Sequence, residues 1–279
     1  MKTNNSTILV VCHKPADVYD EGIYTPIQVG KALSNIDLGY IGDDTGDNIS
    51  NKNPYYCELT AQYWAWKNLQ CRNVGLCHYR RYFEDIFTEE RLDDIFNNYD
   101  VILPRPFVHS VRGGSILHKL ITILTIEDVA IFLLVIKKLY PEYEQAVVDY
   151  MKGNLDIPYN MFVAPKNLFD KFSEWQFSIL FECEKYVRLS GYSRLRRLFG
   201  YFAECLWGIY CLHNKLKIFF VPLVGTLDSR YRSKIHDMVT CSLYHCFNPT
   251  NYSTIDQLVG GSINLLKNDS IYDAILSQK

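Results

Sequence analysis

The sequence predicts an α/β protein in which helices cover both faces of a sheet. Short apolar runs alternate with longer segments of helical periodicity, in the order strand, helix, strand, helix, strand through residue 223. The chain has 279 residues, of which 48% are hydrophobic and 22% charged, so it is long enough for a large buried core. We expect one sheet domain over residues 1–225 and a helical or irregular C-terminal extension over residues 226–279.

The first strand is the clearest element. Ile8–Cys12 is a continuous apolar run, the pattern of a strand buried on both faces of a parallel sheet. Similar runs predict four further strands, over residues 73–77, 99–106, 157–165 and 217–223. Helical periodicity predicts six helices, over residues 54–69, 88–97, 126–139, 141–151, 169–186 and 198–213. Residues 26–33 are predicted to form a short helix or turn, and residues 42–53 a loop, because Gly, Asp and Asn dominate the latter.

Charge and cysteine content exclude several classes of protein. The net charge of -2 gives no argument for nucleic-acid binding. None of the nine cysteines has the CxxC spacing of a zinc site, so buried free thiols in a reducing compartment are expected. The longest apolar block, residues 129–136, is far shorter than the ~20 residues that span a bilayer. Without a visible signal peptide, the expected location is cytoplasmic.

One stretch concentrates hydrogen-bond donors at the end of a predicted strand. His78, Tyr79, Arg80 and Arg81 follow the apolar residues 73–77. Such groups are costly to bury without a partner, and phosphate suits guanidinium groups best, because they grip its oxygens in pairs. The alternative is that the two arginines pair with neighbouring acidic residues, namely Glu84, Asp85, Glu89 and Glu90. Of the two, Arg81 is the one expected to face Glu84 or Asp85.

Two other strand ends carry polar side chains. His13 and Lys14 follow the first strand, at the carboxyl edge where open α/β sheets bind ligands. Tyr159, Asn160 and Met161 interrupt the apolar residues 157–165, which places a polar amide near a strand end. A solvated turn for the first pair, and a satisfied buried amide for Asn160, are the competing interpretations.

The loop of residues 42–53 is predicted to contact a ligand. Asp43, Asp44 and Asp47 could hold a cation, but their spacing does not fit an EF-hand, so we set calcium aside. Hydrogen-bonding loops at a sheet edge are where binding residues concentrate.

Several motifs together resemble a known bacterial family. They are VCHKP, YTPIQVGKAL, DDTGDNISNKNPYYCELTAQYWAWKN, VGLCHYRRYF, YNMFV and FGYFAE, in this order over residues 8–223. They are similar to the family called domain of unknown function 4422. Its members are associated with capsular, exopolysaccharide and lipopolysaccharide gene clusters and are regarded as glycosyltransferases, some of them similar to galactofuranosyltransferases.

The resemblance implies a GT-A-like, nucleotide-binding mixed sheet flanked by helices. Residues 1–105 would form the nucleotide-sugar half and residues 106–225 the acceptor half. Other GT-A transferases bind a divalent cation with a D-x-D motif. Residues 74–80 stand where that motif would fall in this sequence. Neither aspartate is present, so we expect transfer without a metal cofactor, with His78 and Arg80 neutralising the diphosphate. Mg²⁺ or Mn²⁺ dependence is the alternative.

The resemblance also suggests substrates and binding residues. A UDP-sugar donor would be bound by residues after the first strand, in the loop and the helix that follows it, and in the basic stretch. These residues are His13, Lys14, Asp44, Asn48, Lys52, Asn53, Glu58, Tyr79 and Arg81. Glu58 would accept hydrogen bonds from sugar hydroxyls, while Trp64 and Trp66 offer flat faces, although plain core positions are the better expectation for both. Tyr159, Asn160, Met161 and Arg197 would bind the acceptor, a lipid-linked oligosaccharide, with the donor sugar as the alternative ligand of the strand end at Asn160.

An inverting transfer needs a carboxylate to take the proton of the acceptor hydroxyl. Glu204, inside the aromatic segment FGYFAECLW, is the candidate base; the alternative is an ion pair with Arg197 or another local arginine. The arginines of residues 188–197 could bind the acceptor diphosphate or the inner membrane surface, or form a solvated turn. A non-catalytic carbohydrate- or nucleotide-binding protein remains the other class, while phosphoryl transfer lacks a Walker-type loop.

Overall fold

The structure, a computed structural model, describes residues 6–108, 114–189, 191, 196–225 and 252–277. Its described residues form two compact units. The first is drawn from Met1–Pro106, Ile157–Glu174 and Leu216–Tyr231, and the second from Phe107–Asp156, Trp175–Lys215 and Arg232–Lys279. The division into a nucleotide-sugar half and an acceptor half stays a prediction, since it concerns what each part binds.

The strands in chain order are β1 (Ser6–Cys12), β2 (Tyr24–Gln28), β3 (Ile41–Gly42), β4 (Asn73–His78), β5 (Arg81–Phe83), β6 (Val101–Pro104), β7 (Phe107–Val108), β8 (Leu155–Asp156), β9 (Phe162–Pro165), β10 (Ile218–Val221) and β11 (Leu223–Gly225). Among the described residues, nine strands of the first unit form one mixed sheet with the order β10-β6-β9-β4-β1-β2-β3, and β5 joins β4 to β11. β7 and β8 pair with each other in the second unit.

The helices are α1 (Asn53–Tyr56), α2 (Leu59–Asn68), α3 (Glu89–Phe96), α4 (Ile116–Ile123), α5 (Ile126–Leu139), α6 (Glu144–Lys152), α7 (Lys166–Glu184), α8 (Leu198–Asn214), α9 (Ile255–Val259), α10 (Ser262–Asn268) and α11 (Ile271–Ser277). Side-chain caps explain several of the starts. Thr125 Oγ1 accepts a hydrogen bond from the backbone N–H of Asp128 at α5, and Thr254 forms a full capping box with Gln257 at α9.

The center of the sheet is made of parallel and antiparallel neighbours of β4. β1 runs parallel to it with Val11 opposite His78, and β9 runs antiparallel with Leu76 opposite Phe162. Gly75 allows this close packing, because a Cβ atom there would come within 2.9 Å of Ile8 Cγ1. Because β1 is parallel and β9 antiparallel to β4, β9 begins at the edge of the sheet where β1 and β4 end.

The second unit has a helical core. α5 buries every residue from Val129 to Ile136, and Phe132 stacks on Phe202 of α8 with ring centroids 4.4 Å apart. α6 and α8 meet where Gly208 leaves room for the ring of Tyr150.

The predicted class, a mixed α/β sheet flanked by helices with helices near the C-terminus, is confirmed. The short helix or turn expected over residues 26–33 is wrong in its first half. Tyr24–Gln28 forms β2 beside β1, and only Lys31–Leu33 forms a single 3₁₀ turn. Pro26, which has no backbone N–H group, is tolerated in β2 because the neighbouring strand β3 is short. Few backbone N–H groups of β2 are therefore needed for hydrogen bonds to β3. Residues 226–251 of the predicted C-terminal extension lie outside the described residues.

Two further expectations concern the whole chain. The seven cysteines in the described ranges carry free thiols, five of them buried, while Cys241 and Cys246 lie outside those ranges. No helix in the described part of the chain is long and apolar enough to cross a membrane.

Candidate functional site

The basic residues predicted at strand ends converge at one edge of the sheet. His13 and Lys14 follow β1, His78 ends β4, and Tyr159 precedes β9, whose antiparallel direction brings it to the same edge. Adjacent strands lie about 4.8 Å apart, so the side chains that leave these three strands are neighbours. We call this group of residues the basic edge.

His78 is fixed by the chain segment before β9. Its Nε2 lies 2.9 Å from the backbone oxygen of Tyr159. A carbonyl oxygen only accepts hydrogen bonds, so Nε2 carries the hydrogen and donates it. Within the described residues the other nitrogen, Nδ1, has no hydrogen-bond partner, so it is available to a ligand as an acceptor when neutral or as a donor when protonated.

Tyr79 and Arg80 contribute buried donors that find no partner in the part of the chain that the structure describes. The hydroxyl of Tyr79 and Nε of Arg80 are buried, and neither finds a hydrogen-bond partner among the described residues. The Arg80 guanidinium carbon lies 5.1 Å from the Tyr79 ring centroid, and the ring of His13 packs edge-on against Tyr79 at 5.4 Å. Unmade hydrogen bonds of buried groups are costly, so an anion with several acceptor oxygens would be bound well here.

Arg81 does not pair with Glu84 or Asp85, so that prediction is wrong. Its guanidinium carbon lies 4.1 Å from the centroid of the Tyr159 ring, a cation–π contact, while Asp85 pairs with Arg91 at 3.2 Å. The reason is geometric: β5 folds back antiparallel beside β4, with His78 opposite Arg81, so Arg81 faces the sheet edge. Its positive charge therefore adds to the basic edge instead of being neutralised.

Glu58 and Asn160, predicted to bind different substrates, contact each other. Asn160 Nδ2 donates to Glu58 Oε1 over 2.7 Å, and both residues are buried, with 5% and 7% of their surface exposed. Glu58 immediately precedes α2, and the preceding Cys57 oxygen is held by Asn53 Nδ2 at 2.7 Å. The interpretation of Asn160 as a satisfied buried amide is correct for its Nδ2, and Met161 beside it is a core residue that is 1% exposed.

The acidic loop is held mainly by its own hydrogen bonds. Asp43 is fully buried and accepts from the backbone N–H groups of Gly30 and Lys31 and from Ser50 Oγ, so both its oxygens are occupied. Asn48 donates to the backbone oxygens of Asp44 and Gly46. Asp44 is exposed, and Lys52 is half-buried with its ammonium 5.8 Å from the Tyr56 ring centroid.

The tryptophans of α2 differ in their surroundings. Trp64 is buried and donates from Nε1 to Thr45 Oγ1 over 2.8 Å, which ties the acidic loop to the helix. Trp66 is partly exposed, and the Lys67 ammonium lies 3.4 Å from its ring centroid. The core interpretation therefore holds for Trp64.

Glu204 belongs to the second unit and forms an ion pair with Lys119. Its Oε2 lies 3.2 Å from Lys119 Nζ, which also binds Asp156 at 2.5 Å. Burial opposes the charge of Lys119, but the carboxylates of Glu204 and Asp156 outweigh this and raise the pKa of Lys119 above its ordinary value. A sequence cannot reveal this partner, because Lys119 lies 85 residues away.

Arg197 is exposed at the start of α8, where its guanidinium lies 5.9 Å from the Tyr201 ring centroid. Of the arginines grouped with it, Arg194 lies outside the described residues, and Arg196 donates to the backbone oxygen of Gly191. The roles predicted for these arginines stay predictions.

One basic residue at the sheet edge was missed. Arg105 directly follows β6, which runs antiparallel to β9 and so ends at the edge where β4 ends. Its backbone N–H donates to the Val221 oxygen over 2.8 Å, and its side chain is half-buried. The available signal was its position at the end of the strand predicted over residues 99–106.

The donor set at the end of β4 fits a divalent cation poorly. Guanidinium groups cannot ligate a metal, and hard cations of the Mg²⁺ type prefer oxygen ligands. In the described ranges, no three His, Cys, Asp or Glu side chains are grouped closely enough to hold a metal ion.

Comparison with known proteins identifies the family. The model of the family described as domain of unknown function (DUF4422) matches residues 7–215, so the chain belongs to this family, as the motifs predicted. Among solved structures it is similar to the apo structure of the WbbM bifunctional glycosyltransferase, with 31% identity and a TM-score of 0.71. The match covers 81% of this chain and 46% of that one, so the chain spans less than half of that protein. No curated protein matches the chain.

Proposed function

We propose that this chain is a glycosyltransferase that moves a hexose from a UDP-sugar to a lipid-linked bacterial polysaccharide intermediate. Galactofuranose and galactose are the favoured sugars, on the family resemblance. The similarity to a glycosyltransferase at 31% identity supports the class of reaction. The observation that carries the proposal is a pair of buried donors, Tyr79 Oη and Arg80 Nε, which have no partner among the described residues and lie next to His78 at the basic edge.

These groups suit the leaving group of such a transfer. When the acceptor hydroxyl oxygen attacks the anomeric carbon, the bond from that carbon to the diphosphate oxygen breaks and UDP leaves with the electron pair. Negative charge grows on the diphosphate, and fixed cations and donors stabilise it without reorganisation. His78 and Arg80 would supply that stabilisation, with Arg81 adding charge, so the proposed transfer is metal-independent.

The hydroxyl proton goes to a carboxylate, and Glu204 is the proposed acceptor in an inverting reaction. Lys119 holds this carboxylate in place, with its Nζ 3.2 Å from Glu204 Oε2. Glu204→Gln should lower turnover by about 100-fold or more with UDP affinity unchanged, since general-base catalysis contributes on this order. A folded variant with near-normal turnover would remove Glu204 from the mechanism.

The acceptor and location are proposed from charge. Arg188, Arg196 and Arg197 are exposed and basic, which suits the diphosphate of a lipid-linked acceptor at the cytoplasmic face of the inner membrane. In this arrangement the protein is cytoplasmic with peripheral membrane contact.

The first experiment identifies the donor from the thermal stabilisation that a bound ligand gives the folded protein. Thermal unfolding is measured with UDP, UDP-galactofuranose, UDP-galactose and UDP-glucose, because a ligand that binds only the folded state raises the midpoint. We expect UDP and one UDP-hexose to stabilise the chain. We also expect the protein to hydrolyse that UDP-hexose slowly, which releases UDP.

The alternatives give different results. Stabilisation without UDP release, and without transfer to any lipid-linked acceptor, would favour a non-catalytic carbohydrate- or nucleotide-binding protein. No stabilisation by any of the four compounds would overturn the proposal.

A further inference from the structure

Backbone strain in the first unit is concentrated around a single hydrogen bond. Cys57, Tyr159 and Asn160 have φ values of 53°, 72° and 52°, in the left-handed region that side chains other than glycine rarely adopt. The bond from Asn160 Nδ2 to Glu58 Oε1 lies between them. The other described residues of this kind, Lys215 and Ser270, stand at helix ends, where a left-handed residue is ordinary.

Strained residues persist only where their surroundings hold them in place, and they cluster at functional sites. Here the surroundings are identifiable. The Cys57 oxygen accepts from Asn53 Nδ2, the Tyr159 oxygen accepts from His78, and the Tyr159 ring carries the Arg81 guanidinium. The three strained residues therefore lie next to the hydrogen bond between Glu58 and Asn160.

Glu58 has an unusual environment for a buried carboxylate. Its hydrogen-bond partner is a neutral amide, and it forms no ion pair with any residue that the structure describes. Its second oxygen, Oε2, likewise has no hydrogen-bond partner in the described ranges. A buried carboxylate is stable only when its oxygens are satisfied, so Oε2 is suited to accept from a ligand hydroxyl.

The position of this pair indicates which ligand group it meets. Tyr159, the residue before Asn160, binds both His78 and Arg81 of the basic edge. In a nucleotide sugar the hexose is bonded directly to the diphosphate, so groups next to the diphosphate-binding cations face the hexose.

We infer that Glu58 and Asn160 form one subsite for the hydroxyl groups of the donor hexose. Asn160 fixes Oε1, orients the carboxylate, and leaves Oε2 to accept from a sugar hydroxyl. Asn160 is thereby assigned to the donor and not to the acceptor. The inference rests on the proposed function, since it takes a UDP-hexose as the ligand.

The experiment separates the sugar contribution from the nucleotide contribution. Calorimetry gives the dissociation constants of UDP and of UDP-galactose or UDP-galactofuranose, whichever stabilises the wild type more, and their ratio measures what the hexose adds. Glu58→Gln should reduce this ratio about ten-fold, since a hydrogen bond to a charged group contributes on that order, and change UDP affinity less than two-fold.

Asn160→Gly distinguishes binding from folding. Glycine adopts a φ of 52° without strain, so the backbone is relieved while the amide is lost. We expect thermal stability to be kept, with the hexose contribution reduced as in Glu58→Gln. Gln62→Met is the matched control, because Gln62 is also buried on α2 but donates to Ser173. It should leave the ratio unchanged.

Wild-type protein gives a test that needs no variant. Donor analogues lacking one hexose hydroxyl at a time should include one that binds about ten-fold more weakly. Equal affinity for all analogues, or a hexose contribution that survives Glu58→Gln, would overturn the inference while UDP binding still supports the transferase. A rise only in the KM of the acceptor would also overturn it, by assigning the pair to the acceptor. Failure of UDP itself to bind would instead overturn the proposed function.

Discussion

Tyr159 links residues that are far apart in the sequence. Its backbone oxygen binds His78, 81 residues earlier, and its ring lies against the Arg81 guanidinium. The left-handed φ of 72° turns the chain so that both contacts form just before β9. One residue thus orients an imidazole and a guanidinium toward the same sheet edge.

Arg80 and Arg81 are expected to differ in importance. Arg80 has a buried Nε without a partner in the described ranges, whereas Arg81 is already engaged with the Tyr159 ring. We predict that Arg80→Ala weakens UDP binding about ten- to 100-fold, the effect of losing one or two charge-assisted hydrogen bonds, and that Arg81→Ala has a smaller effect. Calorimetry at constant salt measures both, and equal losses would contradict the distinction.

At the scale of elements, the packing of α6 against α8 depends on a glycine, Gly208, which has no side chain. A methyl group at Gly208 would overlap the ring of Tyr150. Overpacking of this kind typically costs 1–3 kcal/mol, so Gly208→Ala should lower the thermal midpoint by about 5 °C. Gly261→Ala is the control, because a methyl group there meets no atom within 4 Å. Similar midpoints for the two variants would show that α6 and α8 can move apart freely.

The contact between α5 and α7 predicts a pH dependence. Burial alone would raise the pKa of Glu182, but hydrogen bonds from Lys138, Lys185 and Tyr186 outweigh burial and lower its pKa from 4.5 to about 2. A carboxyl group with a lowered pKa stabilises the fold above the unfolded value, and that stabilisation is lost as the pH falls toward the folded value.

Glu182→Gln should therefore destabilise the protein most at pH 6, with the difference from wild type shrinking as the pH is lowered from 4.5 toward 3. Thermal midpoints of both proteins across this range give the measurement. A difference that stays constant with pH would mean that the ion pairs of Glu182 do not supply this stability.

At the scale of the whole molecule, independence from metal ions is the property to test. The residues at the end of β4 are two arginines, a tyrosine and a histidine, a set whose chemistry suits a diphosphate and fits a cation poorly. We predict that EDTA leaves UDP-sugar turnover within about two-fold of the untreated protein, because the cations that stabilise the leaving group are fixed in the chain. Loss of activity with EDTA, and its return with Mg²⁺ or Mn²⁺, would refute this.

Much of the architecture could be predicted from local patterns. The run Ile8–Cys12 is apolar at every position, and β1 is indeed a central strand of the sheet. The helix pattern of residues 54–69 was also correct in outline, although the chain breaks into α1 and α2 at Cys57. β2 was missed because Pro26 and the following polar residues hide a strand whose stability comes from pairing with β1.

The sequence by itself determined the family, the alternating fold and the residue types at the strand ends, because apolar periodicity and contiguous motifs are local properties of the chain. Only the tertiary structure decided which of these residues meet. Arg81 lies on Tyr159 and not on an acidic neighbour, Asn160 binds Glu58, and Glu204 pairs with Lys119. Such contacts join residues up to about a hundred positions apart, and strand register and direction select them, which no local pattern encodes.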